Sequence, residues 1–156
     1  VFVDGLCGRC VAHENKWLEN RNAQKTIDND LKPYKNLDYI IVQLGTNDCK
    51  SEYNNTPKQI ANNLEVLLKR IKEKTAAKII ILGPAIIKEN NAITQKFYVG
   101  AQKKSGKLNV FYKKLAQKMG CKFVCGIDLE VGDDGEHLTK KGHKQLKEKI
   151  EQIISQ

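Results

Sequence analysis

Short apolar runs rich in β-branched residues alternate along this chain with longer segments of helical period, and that order constrains the fold more than any other feature. Asp38 to Leu44 (Asp-Tyr-Ile-Ile-Val-Gln-Leu) and Ala77 to Leu82 read as buried strands, with Lys122 to Val124 a shorter one and Val1 to Val3 an opening strand-like run. Between the first two long runs, Ile60, Leu64, Leu67, Leu68 and Ile71 fall on one stripe of a helix. Thr56-Pro57 starts it, a hydroxyl cap followed by a proline whose missing N–H costs nothing in the first turn. A second stripe, Leu108, Phe111, Tyr112, Leu115 and Met119, is stopped by Gly120, and Thr139 caps a last helix carrying Leu146, Ile150, Ile153 and Ile154. Ala23 to Leu31 forms a short helix closed by Pro33, and weaker helical sequence begins near Thr94. Strands separated by helices of this length predict an α/β domain with a parallel sheet. With 156 residues, 40% of them apolar, and no repeat or linker, a single domain with a real core is expected.

Several function classes drop out. A membrane-spanning helix needs ~18 or more consecutive apolar residues, and the longest apolar run, Lys78 to Ile87, is interrupted by Gly83 and Pro84. The formal charge of +9 invites a nucleic-acid partner, but 24 of the cations are Lys and only Arg9, Arg21 and Arg70 offer the planar fork that reads phosphates and bases. Most Lys lie on the polar sides of helical patterns among Glu, which describes a solvated surface; salt-dependent binding to DNA or RNA would be the mark of the other reading. Five cysteines, an odd count, suit a reducing, cytoplasmic compartment better than a disulfide scaffold. Cys7-Gly-Arg-Cys10 with His13 has the spacing of a redox or zinc pair but lacks the strand-to-helix setting of the one and the matching second pair of the other. Buried or half-buried thiols are the expectation, and no metal or organic cofactor is implied.

Two polar clusters sit at element junctions, Gly45-Thr46-Asn47-Asp48 after a buried strand and Asp134-Gly135-Glu136-His137 before the last helix. In a turn, Asp134 can accept the Nδ1 proton of His137 and leave Nε2 free as a general base; a capping aspartate beside a surface histidine would give the same four letters. The Asn47 carboxamide can donate to a developing oxyanion, or simply make a turn. Gly8, in the loop after the opening run, can present an unhindered backbone N–H, or mark only a turn with positive φ. A parallel sheet collects such elements at one edge, and their convergence is what makes the set a candidate site.

These motifs resemble those of the SGNH hydrolases, the GDSL esterases and lipases. Asp4-Gly5-Leu6-Cys7-Gly8-Arg9 is similar to that family's second block, Leu44-Gly45-Thr46-Asn47-Asp48 to its third, and Asp134-Gly135-Glu136-His137-Leu138-Thr139 to its fifth, in the same order and over most of the chain. The Gly-Leu-x-Gly-Arg form resembles the arylesterase and acyltransferase branch. The resemblance implies a three-layer α/β/α flavodoxin-like parallel sheet and hydrolysis of small acyl esters, with acyl transfer to alcohols as an extension. It makes His137 the base, Asp134 its orienting partner, and the Gly8 N–H and Asn47 amide two oxyanion donors. The partner is then a small-molecule ester, with neither nucleic acid nor membrane, and a homo-oligomeric state is compatible with the sequence.

The departure is the nucleophile. The family uses the serine of a Gly-Asp-Ser block at the end of its first strand, and this chain has no such block; Ser51, Ser105 and Ser155 stand in other contexts. The resemblance therefore makes Val1 to Val3 the family's second strand and residues 1–156 one SGNH-like domain that is N-terminally incomplete, without the first strand, its serine and the helix after it. Removing that strand leaves a slot between its neighbours, so instability of the isolated chain is expected. Cys7 as a substitute nucleophile is disfavoured, because the second-block position between Leu and Gly is not the attacking one. A non-catalytic scaffold that holds an acylated sugar is the rival reading.

Overall fold

The computed structural model describes all 156 residues. Three parallel strands, β1 (Tyr39–Val42), β2 (Lys78–Leu82) and β3 (Lys122–Val124), form one sheet in that spatial order. Tyr39 stands opposite Lys78 and Val42 opposite Ile81, while Ile80 meets Lys122 and Leu82 meets Val124. Successive side chains of a strand point to opposite faces. Accordingly Ile79 and Ile81 of the central strand enter one core, and Ile80 and Leu82 enter another. Both faces of the sheet are covered, as a parallel sheet requires.

The larger core lies under α1 (Ala23–Leu31), α2 (Pro57–Lys74) and α4 (Ala101–Met119). The predicted stripe of α2, Ile60, Leu64, Leu67, Leu68 and Ile71, is buried to within 1%. The start of α2 is a reciprocal cap: the Gln59 N–H donates to Thr56 Oγ1 at 3.2 Å, and the Thr56 N–H donates to Gln59 Oε1 at 2.8 Å. The opposite face is covered by α5 (Lys140–Ile154), whose Leu146, Ile150 and Ile153 pack on Ile80, Leu82 and Val124. A further short helix, α3 (Ala92–Phe97), lies in the connection from β2 to α4. No helix is long and apolar enough to cross a membrane.

Val1 to Val3, expected as a strand, form none; all three are exposed and belong to no regular element. Apolar, β-branched composition does not make a strand without a backbone ladder to join, and β1 pairs with β2 alone. The other edge of β1 carries no partner, and Ile41 is 41% exposed. The expected strand of Asp38 to Leu44 is likewise shortened, because the chain leaves the ladder after Val42 to enter the turn at Gly45. That glycine has φ +118°, and the Tyr112 hydroxyl, which donates to the Leu44 carbonyl at 3.1 Å, occupies the space a side chain would need.

The segments that follow β2 and β3 are tied to each other by one buried side chain. Asn109 donates from Nδ2 to the Pro84 carbonyl at 2.8 Å and the Ser105 carbonyl at 3.0 Å, and its Oδ1 accepts the Gly126 N–H at 3.0 Å. Asn109→Ala would strand the Gly126 N–H and the Pro84 carbonyl away from water, and with roughly 1–3 kcal/mol for each buried group left unpaired, a loss of about 2–6 kcal/mol is expected in urea unfolding. A loss below ~0.5 kcal/mol would mean that the tie carries no load.

Candidate active site

Residues 4–12 hold no helix or strand of their own, so their shape is set by what they bind. The Cys10 N–H donates to the Arg21 carbonyl at 2.8 Å and the Asn22 side chain to the Ala12 carbonyl at 2.9 Å, which fixes the far side of the loop. The near side is held by two consecutive residues of the turn after β1. Asn47 Nδ2 donates to the Arg9 carbonyl at 3.2 Å, and the Val11 N–H donates to both carboxylate oxygens of Asp48 at 3.0 Å each. Gly8, one residue before Arg9, has φ +74°, and the Asn15 and Leu18 side chains lie where a β-carbon would go. Its N–H has no acceptor in the protein.

Asp48 is wholly buried, and burial pushes its carboxyl up to about 6, against the opposing pull of the Val11 N–H. The surrounding polar groups are paired. Asn55 donates to the Asp48 carbonyl at 3.2 Å and meets His13 Nε2 at 2.8 Å, and the His13 ring stacks on Tyr53 with centroids 4.6 Å apart.

The second cluster forms the expected turn. Asp134 Oδ1 accepts the N–H groups of Glu136 and His137, each at 3.0 Å, and Oδ2 lies 2.9 Å from His137 Nδ1. Those bonds, the His137 N–H first, hold the Asp134 carboxyl below the usual carboxylate range. With Asp134 ionised, Nδ1 carries the shared proton and Nε2 keeps its lone pair. The imidazole is 74% exposed. Its turn is fastened from outside: the Lys88 N–H donates to the Gly135 carbonyl at 2.8 Å, the Asn91 side chain to the Asp133 carbonyl at 3.1 Å, and the Gly132 N–H to the His137 carbonyl at 2.9 Å.

Sequence reasoning missed what lies between the two clusters. The Tyr98 hydroxyl donates to Asn47 Oδ1 at 3.5 Å, and burial foremost, with the nearby Glu136 carboxylate, pushes the phenol well above its ordinary range. Glu136 Oε1 lies 3.6 Å from His137 Nδ1. Asn91, which donates to the Asp133 carbonyl, begins α3 and Tyr98 ends it, so that helix touches both polar clusters. Tyr98 belongs to no periodic pattern; it closes α3, a helix whose sequence signal is weak.

The remaining candidates are accounted for elsewhere. Cys10 and Cys49 are buried and held up to about 12, mainly by burial, whereas Cys7 is exposed, contrary to the expectation of sheltered thiols. His13 is engaged with Asn55 rather than with the Cys pair. Ser51 Oγ bonds the backbone at Phe97 and Val99, Ser105 Oγ that at Ile87 and Gln102, and Ser155 Oγ the Glu151 carbonyl.

This chain belongs to the GDSL-like lipase/acylhydrolase family, whose sequence pattern matches residues 1–145. Among solved structures it is similar to Est24, a carbohydrate acetylesterase from Sinorhizobium meliloti, with 26% identity and a TM-score of 0.89 over 97% of this chain and 76% of that one. The native aryl esterase of M. smegmatis shares the fold at 23% identity and a TM-score of 0.85, over 97% of this chain and 77% of that one. No curated protein sequence matches the chain. The family is one of ester- and acyl-hydrolysing enzymes, and its substrates are small-molecule esters.

The raised carboxyl of Asp48 has a definite sign in stability. An unfolded aspartate titrates near ~3.9, so between that value and about 6 the folded protein binds the extra proton, and the stability this group contributes falls as pH rises through the window. Asp48→Asn keeps an acceptor for the Val11 N–H and cannot ionise. Urea midpoints at several pH values are expected to show the wild type gaining on the variant as pH drops from 7 to 4.5. A difference that stays constant with pH would contradict the assignment.

Proposed function

We propose that the protein acts as a serine ester hydrolase on small acyl esters, with acetyl esters of carbohydrates the first substrates to try. The carrying observation is the 2.9 Å contact of Asp134 Oδ2 with His137 Nδ1, on a turn joined to Asn47 through α3, since Asn91 at one end of that helix bonds the Asp133 carbonyl and Tyr98 at the other meets Asn47. Asp134 orients the imidazole and stabilises it once protonated, and Nε2 takes the proton of the attacking hydroxyl. The Asn47 amide and the Gly8 N–H stabilise the tetrahedral oxyanion. The hydroxyls of Ser51, Ser105 and Ser155 are engaged elsewhere, so the attacking serine is one outside these 156 residues, and its backbone N–H is the third oxyanion donor.

The steps balance without a cofactor. The hydroxyl oxygen bonds the carbonyl carbon while its proton moves to His137 Nε2. Collapse of the intermediate expels the alcohol, which leaves with that proton. Water then repeats the sequence on the acyl-enzyme, releasing the acid and restoring the serine. Transfer to a second alcohol in place of water is the same step with a different acceptor.

Turnover of small acetyl esters by the full-length protein tests this. Removal of a side-chain oxyanion donor costs ~10²–10³ in kcat, so Asn47→Ala is expected in that range with little change in thermal midpoint, and His137→Ala is expected to lose more. Near-normal turnover in either variant would remove that residue from the mechanism. Failure of a serine-directed phosphonate to label the full-length protein would remove the serine.

A further inference from the structure

The carboxamide of Asn47 is useful only if its nitrogen, not its oxygen, faces the reacting carbonyl. A carboxamide has two N–H groups and one acceptor oxygen. Here one N–H is taken by the Arg9 carbonyl at 3.2 Å, and Oδ1 stands 3.5 Å from the Tyr98 hydroxyl. Turned over, the group would set Oδ1 against the Arg9 carbonyl, lone pair against lone pair. Arg9 therefore opposes the wrong orientation from one side, and the only group on the other side with a proton to offer Oδ1 is Tyr98. The phenol is well placed to do this repeatedly. Its ring is 2% exposed, the Lys50 ammonium sits 5.8 Å from the ring centre, and its flanking residues Phe97 and Val99 are pinned by the Ser51 hydroxyl.

We propose that Tyr98 is a positioning residue for the oxyanion hole: its hydroxyl, donating to Oδ1, holds the Asn47 carboxamide so that the second N–H points at the substrate oxygen. The kinetic consequence rests on the esterase reading given above; the structural consequence does not. The acceptor of this hydroxyl is Asn47 Oδ1, at 3.5 Å a long bond. When negative charge grows on the substrate oxygen, the N–H of Asn47 is polarised and its Oδ1 becomes the better acceptor, which strengthens that bond. Tyr98 thus reaches the reacting atoms only through Asn47.

The test uses Tyr98→Phe, which deletes one oxygen, in the full-length protein. Expected is a drop of about 10-fold in kcat on an acetyl ester with KM within two-fold, and no further drop when the same change is made in Asn47→Ala. A structural role would lower kcat equally in both backgrounds, and that result would overturn the proposal, as would unchanged kcat in the wild-type background. The second readout needs no activity. In ¹⁵N-labelled protein the two side-chain amide protons of Asn47 are expected to shift and to lose order in Tyr98→Phe, and unmoved resonances would overturn the proposal even if the protein hydrolysed no ester at all. Should Tyr98→Phe fail to fold, 3-fluorotyrosine at position 98 keeps the shape and alters only the donor strength. The same Asn47 resonances then decide, shifting if the bond exists and staying fixed if it does not.

Discussion

Asp48 gives up all contact with water to hold the Val11 N–H on both of its oxygens, and the geometry of everything beside it follows from that grip. The loop of residues 4–12 has no regular structure to set its path. It is placed instead by neighbours in the turn after β1, with Asn47 on the Arg9 carbonyl and Asp48 two residues further along. Together the two side chains fix the loop beside Gly8 to the turn after β1, joining residues far apart in the chain. The cost is a carboxyl that burial drives toward its neutral form, offset by the Val11 N–H and by the nearby His13.

What was legible in the sequence was whatever repeats locally. The stripes of α2 and α4, the capping of α2 by Thr56 and the β-branched run of β2 all follow from period and from the chemistry of single turns, and they land where expected. The start of α3 was less visible, because its cap, Asn91, which accepts from the Ile93 and Thr94 N–H groups, is one of several polar residues that look alike in sequence. Val1 to Val3 shows the opposite failure: the residues are right for a strand, but pairing is a property of the neighbour. Of the site, both polar clusters were readable because each is a short continuous motif. Tyr98 was not, since its part depends on a contact with Asn47, 51 positions before it.

The lysine-rich surface also resolves into contacts. Glu65 of α2 receives Lys69 from its own helix and Lys118 from α4, and Asp28 of α1 receives Arg70 and Lys74 from α2. Single exposed pairs of this kind contribute ~0–1 kcal/mol, so they arrange the polar faces of packed helices more than they hold them together.

The turn that presents His137 leads directly into α5, and α5 rests on the smaller of the two cores, with Gly142 and Leu146 its only fully buried residues. The rest of the sheet and the three helices on the far side share a separate and larger core. Loosening of the C-terminal helix would therefore carry the imidazole away while most of the molecule stayed intact. On the esterase reading, heat inactivation and global melting would then be two distinct events, the first governed by one peripheral segment and the second by the packed interior behind the strands.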